Sequence, residues 1–212
     1  MALTLDEPPR IVDGPEHAEA TLILAHGAGA AMDSEFMSAF AEGLAERNLR
    51  VVRFEFPYMA ERRLTGKLRP PDREPLLRQT WLDVLASVSA DAPFIGGKSM
   101  GGRIASLIAD EVGARGLICL GYPFHPPGRP GQTRIGHLQA IRTPTLIVQG
   151  ERDPFGDASE VGGYALSGEV RVHWLADGDH GFRPRASAQR SRQENWHEAL
   201  EAIVRFVGRT RR

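Results

Sequence analysis

The sequence predicts an α/β fold: a mostly parallel sheet with helices on both faces. Three observations carry this. Short, continuous apolar runs recur at Thr21–Ala25, Gly116–Leu120 and Thr145–Val148, each too short for a helix and apolar on both alternating sides, the pattern of a strand buried on both faces. Between such runs lie segments with apolar residues at helical spacing, among them Phe36, Met37, Phe40 and Leu44, and later Leu77, Trp81, Val84, Leu85 and Val88. The alternation persists from Thr21 to the C-terminal segment, with no repeat, low-complexity tract or composition shift that would mark a second domain.

The chain of 212 residues is therefore expected to form one domain over 1–212, with 42% hydrophobic content to supply its core. A net charge of −1 gives no case for a nucleic-acid or other polyanion partner. Cys119 is the only cysteine, which excludes an internal disulfide, and its place in an apolar run predicts a small buried hydrophobe. There is neither a basic segment leading into an apolar one at the N-terminus nor an apolar run of membrane length, so no membrane association and a cytoplasmic location are expected.

In chain order, Ala2–Leu5 is a candidate edge strand within a mixed, proline-bearing segment. Thr21–Ala25 is a buried strand that runs into His26-Gly27-Ala28-Gly29-Ala30, and the helix bearing Phe36 to Leu44 follows. Val51–Phe56 reads as the next strand, stopped by Pro57; Tyr58–Pro75, rich in Arg and Pro, reads as a loop before the helix of Leu77 to Val88. A short strand over Ala92–Gly96 leads to Gly97-Lys98-Ser99-Met100-Gly101-Gly102 and a helix from Arg103 to Val112. Gly116–Leu120 is a strand, Tyr122–Gln139 a proline-bearing loop, Thr145–Val148 a strand and Asp157–Leu166 a weak helix. Val170–Leu175 alternates, as a sheet-edge strand does, and a closing helix carries Trp196, Leu200, Ile203, Val204 and Val207.

Strand, Gly-x-Ser-x-Gly, helix is the context of a nucleophile elbow. The serine sits on a turn so sharp that the residues two before and two after it must be small; Gly97 and Gly101 meet that need, and Gly102 adds slack. Such a turn lifts the Ser99 hydroxyl clear of the sheet and aims the free N–H groups of the next helix at it. In an open parallel sheet the site lies beyond the carboxyl ends of the strands, where Ser99, Asp153 and His180 fall in chain order. Serine, acid, histidine is the order of the α/β-hydrolases. On these motifs, and on the Asp-Gly-Asp-His-Gly-Phe stretch around His180, the chain from Thr21 onward resembles a short, dienelactone-hydrolase-like member of that superfamily.

The chemistry assigns expected roles. A serine hydroxyl needs a neutral base, His180, which in turn needs a carboxylate to hold its tautomer, Asp153, with Glu151 and Asp157 as rivals. The oxyanion needs two backbone donors: Met100 N–H and, from the loop after the first buried strand, Ala28 N–H or next Gly29 N–H. His26 braces that loop, and its His-Gly pair resembles that of lipases and esterases. Asp177 and Asp179 offer His180 an alternative, purely local hydrogen bond, and with no further His or Cys cluster they do not make a metal site; no metal or cofactor is expected.

Lys98 departs from the common pattern of the resembled family, where histidine or an acid often precedes the serine. As a substrate-binding residue it would favour anionic substrates, helped by Arg62, Arg63, Lys67 and Arg69 on the rim; as a structural one it would face solvent or pair with an acid. Tyr122–Gln139 is long enough for a flap but not a cap, so a minimal core without a large cap is expected, with Tyr122, Phe124 and His125 lining the pocket. The resulting expectation is a serine hydrolase acting on a small carboxylic ester or thioester. Alternatives are a non-catalytic binding or assembly protein of the same fold, and an amidase or peptidase, since the nucleophile machinery is shared. The partner expected is a small molecule; the oligomeric state is left open.

Overall fold

The structure is a computed structural model that describes residues 7–211. Among them, seven strands form one sheet in the order β1-β3-β2-β4-β5-β6-β7. The strands are β1 (Arg10–Asp13), β2 (Thr21–Ala25), β3 (Arg50–Phe54), β4 (Phe94–Lys98), β5 (Gly116–Leu120), β6 (Thr145–Gly150) and β7 (Val170–Leu175). All neighbours pair in parallel except β1, which runs antiparallel along the outer edge of β3. The helices are α1 (Glu35–Ala45), α2 (Pro57–Thr65), α3 (Glu74–Ser87), α4 (Met100–Ile108), α5 (Ala158–Val161) and α6 (Arg192–Thr210).

Strand alternation divides the core in two. Ile23, Val52, Phe54, Ile95, Leu117, Cys119 and Ile147 face α3 and α4, meeting Trp81, Val84, Ile104 and Ile108. Leu22, Leu24, Val51, Phe94, Ile118, Leu120, Leu146 and Val148 face α1 and α6, meeting Met37, Phe40, Leu44, Ile203 and Val207. Each fully buried Leu, Ile or Phe contributes roughly 1.5–3 kcal/mol, so both faces of the sheet are anchored. Cys119 is buried as a small hydrophobe, and burial pushes its thiol pKa up. α6 starts at a reciprocal cap in which Ser191 and Glu194 satisfy each other's backbone N–H groups.

The candidate strand Ala2–Leu5 lies outside the described residues; among those, an edge strand runs from Arg10 to Asp13. Several other expectations are corrected. Tyr58–Pro75 is not simply a loop, because α2 occupies Pro57–Thr65. Pro57 sits in the first turn, where its missing N–H costs nothing, and Gly66 ends the helix at φ +71°. Tyr58, Met59 and Ala60 are buried by tertiary contacts that the Arg- and Pro-rich composition conceals. The helix expected over Asp157–Leu166 is cut to Ala158–Val161, ahead of the consecutive glycines Gly162 and Gly163. β4 runs two residues further and α4 begins three earlier than the periodicity suggests, so a single residue, Ser99, separates them.

Candidate active site

The turn between β4 and α4 has no spare length. Ser99 adopts φ +50° and ψ −113°, a conformation rarely held by a residue with a side chain. Its N–H donates to Leu120 O at the end of β5 (3.0 Å), and its own carbonyl accepts the N–H of Arg103 (3.0 Å). Ser99 caps α4 without using its side chain, so the hydroxyl is free of the helix. A Cβ at position 97 would stand 2.2 Å from Ala25 O, and one at 101 would stand 2.4 Å from the same atom and 2.6 Å from His26 O. The small flanking residues are required because the end of β2, paired alongside β4, lies against both. Gly102 does not add slack: a Cβ on it would lie 2.7 Å from Gly97 O.

Asp153 and His180 meet from the loops after β6 and β7. The Asp153 side chain is fully buried; Oδ1 accepts the N–H of Phe155 (2.9 Å), and Oδ2 lies 2.7 Å from His180 Nδ1. The His180 loop is held by Asp179 Oδ1, which accepts from the N–H groups of Gly181 and Arg183 (2.8 and 2.9 Å). Burial, above all, lowers the His180 pKa, with the nearby Lys98 charge acting in the same direction and the Asp153 hydrogen bond opposing them. A neutral imidazole with Nδ1–H on Asp153 leaves Nε2 unprotonated. Ser99 and His180 both approach the end of β5 at Gly121. Its neighbour Leu120 accepts the Ser99 N–H, and a Cβ on Gly121 would lie 3.2 Å from His180 Cε1.

The rival acids are engaged elsewhere. Glu151 accepts the N–H of Asp177 (2.8 Å), and Asp157 caps α5 in a reciprocal pair with Glu160. Asp177 pairs with Arg152 and Arg185, so neither it nor Asp179 takes the imidazole. Among the described residues, no group of three His, Cys, Asp or Glu side chains is placed to hold a metal ion.

The loop after β2 also reaches Ser99. A Cβ on Gly27 would stand 3.6 Å from Ser99 Cβ. His26 is fully buried there, and burial lowers its pKa. Its Nε2 accepts the N–H of Phe56 (3.1 Å), so Nδ1 carries the proton and donates to Gly27 O (2.7 Å). The Tyr58 hydroxyl, on α2, donates to Ala28 O (3.0 Å) and lies 3.3 Å from Gly27 O. In a trans peptide the N–H points opposite to the C=O, so anchoring these carbonyls turns the N–H groups of Ala28 and Gly29 away from Tyr58. Both residues are exposed. Met100 N–H, in the first turn of α4, has no partner within the helix.

Four expected pocket residues are placed differently. Tyr122 and Phe124 are 0% exposed and pack on each other, with ring centroids 4.9 Å apart; His125 is 3% exposed and bridges Pro126 O and the Glu160 carboxylate. Buried Gln149 draws this segment inward, its amide bonding Tyr122 N–H, Tyr122 O and Gly156 O. Lys98 neither faces solvent nor pairs directly with an acid: its Nζ donates to His180 O (2.7 Å). Two of the four expected rim cations are paired within the protein, Arg63 with Glu55 and Asp33, and Arg69 with Glu61. Two further residues touch the site. Phe155 packs against the His180 ring, centroids 4.4 Å apart, and only its nearness to Asp153 in the sequence hints at that; Tyr58 carries no sequence signal, since the Arg- and Pro-rich composition around it has the pattern of a loop.

Three solved structures have this architecture. An α/β serine hydrolase without a lid from Xanthomonas campestris is 21% identical, with a TM-score of 0.72 over 99% of this chain and 94% of that one. An α/β serine hydrolase homologue from Coxiella burnetii is 23% identical, with a TM-score of 0.70 over 92% and 89%. A dienelactone hydrolase from Anabaena variabilis is 19% identical, with a TM-score of 0.65 over 93% and 88%. At these identities the likeness is one of fold. The sequence itself matches the family described as alpha/beta hydrolase domain over residues 18–208, nearly its whole length, and the chain belongs to that family.

Proposed function

We propose that the protein is a serine hydrolase that cleaves a small carboxylic ester or thioester through an acyl-enzyme. The observation that carries this is the 2.7 Å contact between His180 Nδ1 and Asp153 Oδ2, which leaves Nε2 uncommitted on a loop whose main chain is bonded by Lys98, the residue before Ser99. Ser99 Oγ attacks the carbonyl carbon and its proton passes to His180 Nε2. Asp153 stabilises the imidazolium so formed. The oxyanion is received by Met100 N–H and by Ala28 or Gly29 N–H, donors whose loss costs about 100- to 1000-fold in comparable sites. The imidazolium returns its proton to the leaving alkoxide or thiolate. Water, deprotonated by the same histidine, then attacks the acyl carbon and releases the carboxylic acid and free Ser99. No cofactor enters these steps.

Two of the structural relatives are described as serine hydrolases or their homologues, one of them without a lid, which supports the reaction class and an open site. The test is hydrolysis of p-nitrophenyl acetate by purified protein and by Ser99→Ala. Steady turnover lost in the variant, with melting unchanged, is the expected result. Equal turnover by both, or none by the folded wild type, rejects the reading.

A further inference from the structure

Lys98 has no part in the reaction as written, yet it is the residue before the serine. A lysine normally buries its stem and leaves its ammonium in water. Here the ammonium is turned inward. It donates to the main-chain oxygen of His180 at 2.7 Å and lies over the rings of Phe36 on α1 (5.4 Å) and Phe182 in the loop after β7 (5.8 Å), within cation–π range. Its space is kept open by Gly121, at φ +67°, where a Cβ would come within 2.6 Å of Nζ. The lysine is covalently joined to Ser99 and hydrogen-bonded to the backbone of His180, so one side chain ties the nucleophile's strand to the base's loop.

We propose that Lys98 is a positioning residue that holds the main chain of His180 at a fixed place relative to Ser99, an inference that rests on the serine-hydrolase reading. A cation this close to the imidazole also disfavours a second positive charge on it, so Lys98 helps to keep the base neutral. The charged groups facing the ammonium are Asp153 from the loop after β6 and Asp179 from the loop after β7; α1 and the end of β5 present only Phe36 and Gly121. Burial pushes the Lys98 pKa down to about 7 against the pull of those two acids. A substrate-binding role is disfavoured because the ammonium already bonds the protein's own carbonyl.

The test is Lys98→Met, read in two ways: kcat and KM on a neutral p-nitrophenyl ester, and the His180 imidazole pKa by NMR titration. The expected result is kcat lower by about 10- to 100-fold, the scale of a slightly misplaced catalytic group, with KM little changed and the His180 pKa raised. Should that variant not fold, Lys98→Gln, whose amide is one bond shorter than the amine's reach, carries the same test. Unchanged kcat with an unchanged His180 pKa overturns the proposal. So does a rise in KM confined to anionic esters, which would mean the ammonium meets substrate. The NMR arm separates the two readings: a raised His180 pKa in a protein without esterase activity rejects the hydrolase reading while leaving the tie from Lys98 to His180 intact.

Discussion

The loops after β2 and β7 each carry a histidine, His26 fully buried and His180 partly so, and desolvation lowers the pKa of both. They differ in what remains free. His26 has both ring nitrogens engaged by backbone, Nδ1 on Gly27 O and Nε2 on Phe56 N–H, and can only hold its loop in shape. His180 has Nδ1 on a buried carboxylate and Nε2 uncommitted. The same side chain is a brace in one loop and, in the proposed mechanism, a base in the other. The direction of the pKa shift does not distinguish them; the partial exposure of His180, its vacant nitrogen and the acid behind it do. On the proposed mechanism the two loops divide the work: one shapes donors for the oxyanion and the other moves the proton.

The largest effect should come from making the second histidine resemble the first. Asp153→Asn replaces the orienting carboxylate with a group able to hold the wrong tautomer, and kcat should fall by about 10⁴-fold with KM little changed. Wild-type kcat/KM should rise with pH as the imidazole loses its proton. Because burial depresses the His180 pKa, the midpoint should lie below the ordinary value of 6.5. A midpoint above 6.5, or near-normal kcat in Asp153→Asn, would break the contrast between the loops. A smaller effect sharpens the other side. Tyr58→Phe removes the hydroxyl anchoring Ala28 O and leaves every donor present. Its kcat should fall by about tenfold, less than the roughly 100-fold loss of a donor itself, and the pH midpoint should not move. A shifted midpoint would mean that the two loops are not separate devices.

Much of this is legible in the sequence. β5 and β7 fall on the residues where apolar continuity and alternation put them, because each pattern has one reading in a sheet. The approach of Asp153 to His180 was legible from order alone, since both follow strands that pair as neighbours. What stayed hidden depends on packing between distant segments. α2 is masked by its arginines, since the contacts that bury Tyr58 come from elsewhere in the chain. Tyr122 and Phe124 have the composition of a pocket wall, but a single buried amide, Gln149, pulls their segment into the core. Lys98 is the sharpest case: nothing local tells whether a lysine before a serine points to water or back at a histidine eighty-two positions away.

The central claim is that Ser99 is the residue activated by His180. Its most direct measurement is the mapping by peptide mass spectrometry of the adduct formed with a fluorophosphonate, in wild type, Ser99→Ala and Asp153→Asn. The account predicts one adduct on Ser99, absent from the alanine variant and formed far more slowly in the asparagine variant. An adduct on another serine, or labelling that persists without Ser99, would contradict it.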